Sequence, residues 1–451
     1  MTNRANGTRY VRRDREPKHY RSSPGAPMLD LASPEQTMQR AILLGFALGL
    51  FATAASAAPD EDKLGKAQHY PIGTAGTWLH EELRVGSFTH QGEIPGIYHG
   101  IAHVLAPAAH PLPLPKAPAE PAFRWSIGAA HDLSVDDYLA RQRIMGLIVV
   151  KDGVVQLERY QYERTPADRF NSQSMGKSIN ALAIGIALGE GRIRSLDDRA
   201  EDYAPKLKGT LYGGTRLRDL LHMASGAKYL QTYDFTGDTR RFNIELSRVG
   251  VEGAAQIITE RAAPAGTLFH YASAESTMLG AALRGAVGTT LSAYLTPRLW
   301  QAIGAETSAL WRADRTDLEV TLGNFNATLR DYARLGVVLA YDGVRPDAPE
   351  RQIIPREYLL DATDWHRQPE AFRPGKASRF WGYGYQFWLF PGEQRRFAML
   401  GVYGQSIFVD PGLRLVMVQT GVNATPEAGQ TSLDRERTAF WRGIVEHYGK
   451  W

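Results

Sequence analysis

The chain has 451 residues, of which 43% are hydrophobic, and its formal net charge is +4. Residues 1–57 contain eight Lys and Arg but only four Asp and Glu, so this stretch accounts for the whole excess of positive charge. The rest of the chain is close to neutral, which argues against a nucleic-acid partner. The apolar fraction is sufficient for a sizeable globular core. The chain has no cysteine, which excludes disulfides, a cysteine nucleophile and a lipidated cysteine.

Residues 1–57 have the pattern of a leader followed by a secretory signal peptide. One arginine precedes a short apolar run, and Ala55 and Ala57 supply the small residues that a signal peptidase requires. We therefore expect a signal peptide over about residues 38–57, a mature chain that begins near Ala58, and a periplasmic or secreted location. A transmembrane anchor is the alternative, but the run is short and no cationic stop follows it. After cleavage we expect no stable membrane anchor.

Residues 58–125 form an N-terminal extension that contains a proline-rich strap. Six prolines between residues 107 and 121 favour an extended segment on the surface, which we interpret as packed on the body of the protein and not as a hinge. Two β-rich runs then flank Asp152-Gly153, a dipeptide that predicts a β-hairpin in this setting. We assign residues 126–451 to one domain.

The spacing of apolar residues predicts a helix from near Asn171 or Ser172 to Gly189. Residues 205–310 are predicted to be mostly helix and loop, strand patterns return in residues 397–418, and a final amphipathic helix ends near the C-terminus. The simplest fold that accommodates these elements is α+β, with one antiparallel sheet built from both ends of the chain and covered by helices. A helical subdomain is inserted at about residues 205–310.

Ser174 and Lys177 form a complete nucleophile–base pair. With a helix that begins near Asn171 or Ser172, the two side chains share a face and lie within hydrogen-bonding reach. A neutral lysine can accept the hydroxyl proton as the serine attacks a carbonyl carbon. The helix N-terminus adds partial positive charge and free N–H groups beside which an oxyanion could form.

Tyr271, which follows Ser174 by 97 residues, is a candidate acid–base group. A tyrosine near a lysine ammonium loses its proton more easily and can then pass it to a leaving group. If Tyr271 does not lie near the lysine, the alternative is an ordinary half-buried tyrosine that packs its ring against the core.

A glycine-containing segment, residues 401–405, is predicted to be an edge strand. Its glycines would let a substrate carbonyl approach, and a free N–H would complete an oxyanion hole with the Ser174 N–H. This interpretation assigns Val402, Tyr403 and Gln405 to oxyanion or substrate binding. A simple β-bulge is the alternative.

The ordered motifs resemble the class C β-lactamase-type serine hydrolases, and within them the 6-aminohexanoate-dimer hydrolase (nylon-oligomer hydrolase) and esterase branch. The resemblance covers roughly residues 125–450 and implies a β-lactamase/transpeptidase-like fold. It is carried, in chain order, by Ser174-Met175-Gly176-Lys177-Ser178, the segment 220–226, Tyr271-x-Ser273, the segments 329–334 and 382–388, Gly404-Gln405 and Val409-Asp410-Pro411.

The resemblance implies roles for individual residues. Ser174 would be the acylated nucleophile and Lys177 its base, while Tyr271 would be the proton relay that also helps to activate the deacylating water. Tyr233 would match a substrate-contacting tyrosine of the dimer hydrolases, and Trp388 or Trp381 would line the acyl pocket. Each of these aromatics is otherwise an ordinary core residue.

Two departures from the β-lactamase pattern bear on the substrate. Ser273 stands where those enzymes have an asparagine that holds the side-chain amide of the substrate. No Lys-Thr-Gly precedes Gly401, and the nearest cation is Arg396. Both changes weaken recognition of a β-lactam while leaving acyl transfer intact, which favours an amidase or esterase.

We therefore predict an exported serine hydrolase that acts on a small-molecule amide or ester. A D,D-peptidase or weak β-lactamase is the alternative among enzymes. A non-catalytic cell-wall or β-lactam binding or sensor protein is the alternative of another class, and it would be expected to lack Lys177 or Tyr271. No cofactor and no metal are expected, because His80-Glu81 is not followed by the histidine that a zinc helix needs.

Overall fold

The computed structural model describes residues 58–233, 236–426 and 432–451. The leader and signal peptide predicted for residues 1–57 therefore lie outside the described residues. Within the described ranges, no helix is both long and apolar enough to cross a membrane.

The strands are short to medium in length and occur near both ends of the chain as well as in its middle. They are β1 (His99–Leu105), β2 (Trp125–Ile127), β3 (Ala130–Leu133), β4 (Ile144–Lys151), β5 (Val154–Tyr160), β6 (Arg169–Asn171), β7 (Ala309–Asp314), β8 (Phe325–Thr328), β9 (Val344–Arg345), β10 (Ala348–Gln352), β11 (Gly382–Tyr383), β12 (Trp388–Leu389), β13 (Phe397–Gly401), β14 (Gln405–Asp410) and β15 (Leu415–Gly421).

Most of the α-helices lie between β5 and β11 in the chain. They are α1 (Arg84–His90), α2 (Val135–Arg141), α3 (Met175–Gly189), α4 (Leu217–Leu221), α5 (Asp238–Val249), α6 (Val251–Ala254), α7 (Ser273–Val287), α8 (Leu291–Leu295), α9 (Leu329–Ala340), α10 (Arg356–Thr363) and α11 (Ser432–Tyr448). Helices α4 to α8 all lie within residues 205–310, as predicted for the inserted helical part.

Strands from both ends of the chain form one seven-stranded antiparallel sheet, in the order β11-β12-β13-β14-β15-β4-β5. The two groups meet where β15 pairs with β4, with Val418 opposite Ile148. Strands β4 and β5 form the predicted hairpin, in which Asp152 and Gly153 both adopt positive φ, as a tight hairpin turn requires. The predicted antiparallel sheet built from both ends of the chain is confirmed.

Successive side chains along these strands are buried on opposite faces of the sheet. One face, which includes Ile148 and Val418, belongs to the core packed under α3 and α9. The other face, which includes Val149 and Met417, packs against α11 through residues such as Trp441. Because a sheet covered by helices on both faces needs apolar residues on both, these strands read as nearly continuous apolar runs. The α+β architecture is confirmed.

A second sheet of four strands, in the order β1-β7-β8-β6, was not predicted from the sequence. Strand β6 has three residues and β8 has four, and all four residues of β8 are buried. Strands this short and this buried show no alternation of apolar and polar residues, so periodicity cannot detect them. This sheet matters for function because β6 leads directly into the segment that carries Ser174.

The proline-rich strap is extended and packs on the body, as predicted. The Ala117 N–H donates a hydrogen bond to the Val155 carbonyl at 2.8 Å, and the Val155 N–H donates one to the Pro115 carbonyl at 2.8 Å. Leu112 and Leu114 of the strap are buried. The described chain from residue 58 onward forms one compact unit. The boundary at residue 125 stays a prediction.

Candidate active site

Ser174 stands at the junction between strand β6 and helix α3. The Oδ1 of Asn171, the last residue of β6, accepts a hydrogen bond from the Gln173 N–H at 2.8 Å, and Gln173 has a left-handed φ of 44°. The helix therefore begins at Met175 with Ser174 as its N-cap. The predicted start near Asn171 or Ser172 was three to four residues too early, because the left-handed turn at Gln173 interrupts the helical pattern.

Two glycines allow other segments to press against this junction. A Cβ at Gly401, the last residue of β13, would lie 2.6 Å from the Ser172 carbonyl oxygen and 3.0 Å from the Gln173 Cβ. A Cβ at Gly323 would lie 2.6 Å from the Gln173 carbonyl oxygen. Backbone atoms cannot rotate out of the way, so only glycine fits at either position. The two glycines hold the backbone just before Ser174 in its tight turn.

Lys177 lies one helical turn after Ser174 and is almost completely buried. Its Nζ contacts the Ser174 Oγ at 3.0 Å and also donates a hydrogen bond to the Leu322 carbonyl. Burial lowers the pKa of Lys177 to about 7, because the ammonium form loses its hydration in this environment. A lysine with this pKa exchanges a proton readily near neutral pH, as a general base must.

The ring centroid of Tyr271 lies 5.5 Å from the Lys177 Nζ, which places this tyrosine beside the Ser174–Lys177 pair. Burial holds the pKa of Tyr271 well above its usual range. The direction is opposite to the one expected from a nearby lysine, because loss of solvent is the largest influence on the phenol. Tyr271 therefore keeps its proton and is available as a hydrogen-bond donor.

Trp388 does not line the cleft beside Ser174, contrary to expectation. Its ring stacks against Tyr271, with centroids 5.7 Å apart and an interplanar angle of 21°. Tyr383 contacts the same tyrosine edge-on at 6.1 Å. The two aromatic residues fix the orientation of the Tyr271 ring.

Residues 401–405 form a hairpin turn between two strands of the large sheet, not an edge strand. Gly401 ends β13 and Gln405 begins β14, with a 3₁₀ turn at Val402–Gly404 between them. Strand β13 lies inside the sheet, although its pairing with β12 stops at Ala398. Tyr403, in the turn, has a left-handed φ of 62°.

The structure brings Val402 and Tyr403 to the cleft but not Gln405. The Gln405 side chain is completely buried, and its Nε2 donates a hydrogen bond to the Gly421 carbonyl at 2.6 Å. Its Oε1 accepts from the Gly421 N–H at 3.1 Å. Gln405 thus ties the turn to the neighbouring strand β15.

The cleft at Ser174 has a volume of about 1100 Å³. Tyr233 and Ser273, both predicted to bind substrate, are among its lining residues. Tyr233 is 45% exposed, whereas the Ser273 N–H is held by the Gln231 Oε1 at 2.8 Å. Other walls are built by one side of helix α5 and by two stretches of the N-terminal extension, residues 75–79 and 96–99.

Two buried amide atoms on the cleft wall have no hydrogen-bond partner among the described residues. They are the Gln173 Nε2 and the Asn243 Oδ1. Buried polar atoms are normally paired, so these two amide atoms are exceptions. The described residues contain no cluster of metal-ligating side chains.

Positive charge in the cleft comes from arginines that the sequence analysis did not consider. Arg240, Arg248 and Arg315 line it. Arg396, the nearest cation in the sequence to the missing Lys-Thr-Gly motif, is instead buried and paired with Asp410 at 2.5 Å. Arg396 therefore serves the fold and is not a substitute for the missing lysine.

A buried carboxyl group near the site was missed from the sequence. Glu275, on α7, accepts hydrogen bonds from the Ser225 Oγ at 2.6 Å and the Ser225 N–H at 3.2 Å. Burial raises the pKa of Glu275 to about 8. Ser225 belongs to the segment 220–226, which carries part of the family resemblance. The sequence analysis therefore identified this segment but not Glu275, its hydrogen-bond partner on α7.

An N-cap serine in contact with a buried lysine, with a tyrosine ring beside that lysine and an antiparallel sheet next to the helix, is typical of the Ser-x-x-Lys serine hydrolases. The family model described as Beta-lactamase matches residues 133–436, which is about two thirds of the chain, and the protein belongs to this family. It is a serine hydrolase of that family.

The chain is also similar to individual relatives of known name. The chain is 24% identical over 339 residues to the 6-aminohexanoate-dimer hydrolase of Paenarthrobacter ureafaciens, a match that covers 73% of this chain and 83% of the relative. A solved structure from Bacillus anthracis, assigned as a 6-aminohexanoate-dimer hydrolase, superposes with a TM-score of 0.71 at 23% identity and covers 83% of this chain and 96% of that one. EstCE1, a hydrolase with promiscuous acyltransferase activity, superposes with a TM-score of 0.52 at 18% identity, covering 67% and 94%. The predicted β-lactamase/transpeptidase-like fold is confirmed.

Proposed function

We propose that this protein is an exported serine hydrolase that cleaves amide or ester bonds in small molecules through an acyl-enzyme on Ser174. The observation that supports this most directly is the 3.0 Å contact between the Lys177 Nζ and the Ser174 Oγ, in a position where burial lowers the pKa of Lys177 to about 7. A lysine with this pKa is largely neutral just above pH 7 and can take the hydroxyl proton.

In the acylation step, the Ser174 Oγ attacks the substrate carbonyl carbon while its proton passes to the Lys177 Nζ. The negative charge on the carbonyl oxygen is stabilised by the Ser174 N–H, at the start of α3, and by a backbone N–H of the turn at Val402–Gly404. Tyr271 donates its proton to the leaving nitrogen or oxygen and recovers one from Lys177. The bond to the leaving group then breaks, and the acyl group stays on Ser174.

In the deacylation step, a water molecule attacks the acyl carbon and gives its proton to the Lys177–Tyr271 pair. The bond to the Ser174 Oγ breaks, the pair returns a proton to that oxygen, and the free acid leaves. Tyr271 is suited to this role because its high pKa keeps it protonated between proton transfers.

The proposed substrate class comes from the relatives and from what this chain lacks. A curated relative is a 6-aminohexanoate-dimer hydrolase, which supports amide hydrolysis, and EstCE1 supports acyl transfer from other donors. The missing Lys-Thr-Gly lysine and the serine at position 273 favour neutral amides and esters over β-lactams. Arg396 does not compensate, because it is paired with Asp410 in the core.

A second candidate is a D,D-peptidase or weak β-lactamase, which acts on substrates with a carboxylate. The arginines that line the cleft, Arg240, Arg248 and Arg315, favour it. The two candidates differ in the ratio of kcat/KM for a short p-nitrophenyl ester to that for nitrocefin. A ratio well above one supports the amidase or esterase, and a strong preference for nitrocefin supports the second candidate.

The acyl-enzyme is tested by labelling with a fluorophosphonate, followed by mass spectrometry of the peptides. We expect one adduct, on the peptide that contains Ser174, and loss of both labelling and ester turnover in Ser174→Ala. Ser126→Ala, at an exposed serine, is the matched control and should behave like wild type. Labelling of a different serine, or full activity in Ser174→Ala, would remove Ser174 from the mechanism.

The export proposal is supported by the sequence of residues 38–57. N-terminal sequencing of the protein from its native host should find a mature chain that begins at or near Ala58. A mature chain that still contains residues upstream of Met38 would contradict it.

A further inference from the structure

The N-terminal extension contributes a wall of the cleft although it precedes the family match. Residues 75–79 and 96–99, which we call the N-terminal wall, lie before residue 133, where the Beta-lactamase match begins. Among them, Trp78, Leu79 and Tyr98 line the same cleft as Ser174. The wall is therefore in reach of a molecule bound at the nucleophile.

The connection between the two parts of the wall is firmly attached to the family domain. The buried Arg312 guanidinium, on β7, donates hydrogen bonds from Nη2 to the Gln91, Gly92 and Ile94 carbonyls at 3.1, 2.9 and 2.6 Å. The Gln91 Nε2 in turn donates to the Asn324 Oδ1 at 3.0 Å. These hydrogen bonds fix the position of the segment against the domain, so the N-terminal wall is an ordered part of the fold.

The segment also packs on the turn that carries Tyr403. The Arg84 guanidinium lies 4.3 Å from the centroid of the Tyr403 ring, and Phe88 packs edge-on against the same ring at 5.5 Å. Trp78 then contacts Phe88 at 5.8 Å. A continuous row of side chains thus joins Trp78 to the turn beside the nucleophile.

Backbone strain is concentrated around this cleft. Five lining residues other than glycine have positive φ, and two consecutive ones belong to the wall; they are Gln173, Asn324 and Tyr403 in the family domain, with Tyr98 and His99 in the wall. Such conformations cost free energy, and they tend to occur where a binding site needs a particular backbone shape. The wall shares this property with the segments on either side of Ser174.

The chemistry of the wall is apolar. Leu79 is 40% exposed, and the half-buried Trp78 and Tyr98 add aromatic surface. Ile244, on helix α5, lines the same cleft and is 51% exposed. Exposed apolar side chains that converge on one cleft are typical of a site for an apolar ligand group.

We propose that the N-terminal wall selects substrates by binding an extended apolar chain of the amide or ester, so that this segment, together with Ile244, determines chain-length preference. The proposal rests on the function proposed above, since it places the chain beside an acyl carbon held at Ser174. Burying the chain against Trp78 and Leu79 favours long substrates over short ones through the hydrophobic effect.

The test compares p-nitrophenyl acetate with p-nitrophenyl octanoate, and methyl butyrate with octyl butyrate, so that the chain is varied on both sides of the ester bond. We expect wild type to prefer the longer member of at least one pair. Trp78→Ala should lower that preference, measured as a ratio of kcat/KM, by about 10-fold, and Leu79→Ser by several-fold.

If Trp78→Ala fails to fold, Leu79→Ser still tests the proposal. Leu79 is already partly exposed, so its replacement by serine should have little effect on folding. Ile101→Ser is the matched control, since Ile101 is 67% exposed on the same extension but does not line the cleft. An unchanged chain-length ratio in both wall variants, for both pairs, would overturn the proposal. Failure of the proposed function is distinguishable, because it would appear as absence of a fluorophosphonate adduct on Ser174 in wild type.

Discussion

At the scale of single residues, the titration of Lys177 determines when the nucleophile can be activated. The lysine acts as a base only when neutral, and burial lowers its pKa to about 7. Activity should therefore rise with pH, with half of the maximum reached near pH 7, where an unburied lysine would require a pH near 10. The pH profile of kcat/KM for a neutral ester measures this directly.

The same profile in Lys177→Ala provides the contrast. Loss of the base should lower kcat/KM by roughly 100- to 10,000-fold and abolish the rise near pH 7. Lys151→Ala, at a lysine in the hairpin between β4 and β5, should keep the wild-type profile. Ester turnover that survives in Lys177→Ala would show that another group takes the proton.

Gly401 has a role that differs from the one expected from its sequence context. It does not open a strand to substrate; it lets β13 approach the backbone before Ser174. In Gly401→Ala the new Cβ would meet the Ser172 carbonyl oxygen at 2.6 Å, so the nucleophile segment must shift. We expect kcat to fall by about 100-fold, the usual effect of a misplacement near 1 Å, and the Ser174 adduct to form more slowly.

Gly412→Ala is the control for this prediction. Gly412 lies in the turn between β14 and β15, at the opposite end of β14 from Gly401, and a Cβ there would meet its nearest atom at 3.4 Å, an ordinary contact. This variant should retain wild-type kcat. Equal activity in both glycine variants would mean that the close approach at Gly401 is not needed for catalysis.

At the scale of secondary-structure elements, Glu275 links helix α7, which follows directly after Tyr271, to the loop that contains Ser225. Its pKa rises from 4.5 to about 8 on burial, so the folded protein keeps a proton that the unfolded chain releases between these values. The contribution of Glu275 to the free energy of unfolding therefore falls as pH rises from about 4.5 to about 8.

Glu275→Gln should remove this dependence while keeping an acceptor for Ser225. The difference in free energy of unfolding, variant minus wild type, should increase with pH between 5 and 8, by at most about 1.4 kcal/mol per pH unit. Urea denaturation at a series of pH values measures it. Glu260→Gln, at an exposed glutamate paired with Lys228, should show no such trend. A flat difference for Glu275→Gln would mean that the carboxyl ionises normally in the folded state.

At the scale of the whole molecule, Arg312 joins the N-terminal extension to the domain that carries Ser174. Removing its guanidinium in Arg312→Met leaves the carbonyls of Gln91, Gly92 and Ile94 without their donor. We expect a loss of about 1.5–3 kcal/mol in the free energy of unfolding, the usual range for charged hydrogen bonds. Limited proteolysis should also cut the variant faster between residues 75 and 99.

The control for Arg312→Met is Arg124→Met, at an arginine whose side chain is 53% exposed and lies 3.7 Å from Asp132 in an ion pair. It should resist proteolysis as wild type does. If Arg312→Met is equally resistant, other contacts of the extension, such as those of Arg84 and Phe88 with Tyr403, suffice to hold it.

The parts of the site that the sequence predicted are those with local geometry or with a recognisable family pattern. Ser174 and Lys177 are three residues apart, so the first turn of any helix brings them together. Tyr271 is too distant for such an argument, and the ordered motifs of the family identified it. The structure does not place Trp388 or Gln405 in the wall of the cleft, where the sequence analysis expected them. An aromatic residue or a glutamine near a motif can equally well pack beneath the catalytic residues and support them without lining the cleft.

By itself, the sequence determined the hairpin at Asp152-Gly153, the helix after Ser174, the apolar strands of the large sheet and the nucleophile–base pair. These depend on turn chemistry and on periodicity within a few residues. Only the tertiary structure decided the four-stranded sheet, the pKa directions of Lys177 and Tyr271, and the wall that residues 75–99 add to the cleft. Those depend on which distant segments pack together and how much water they exclude, and no local pattern in the chain contains that information.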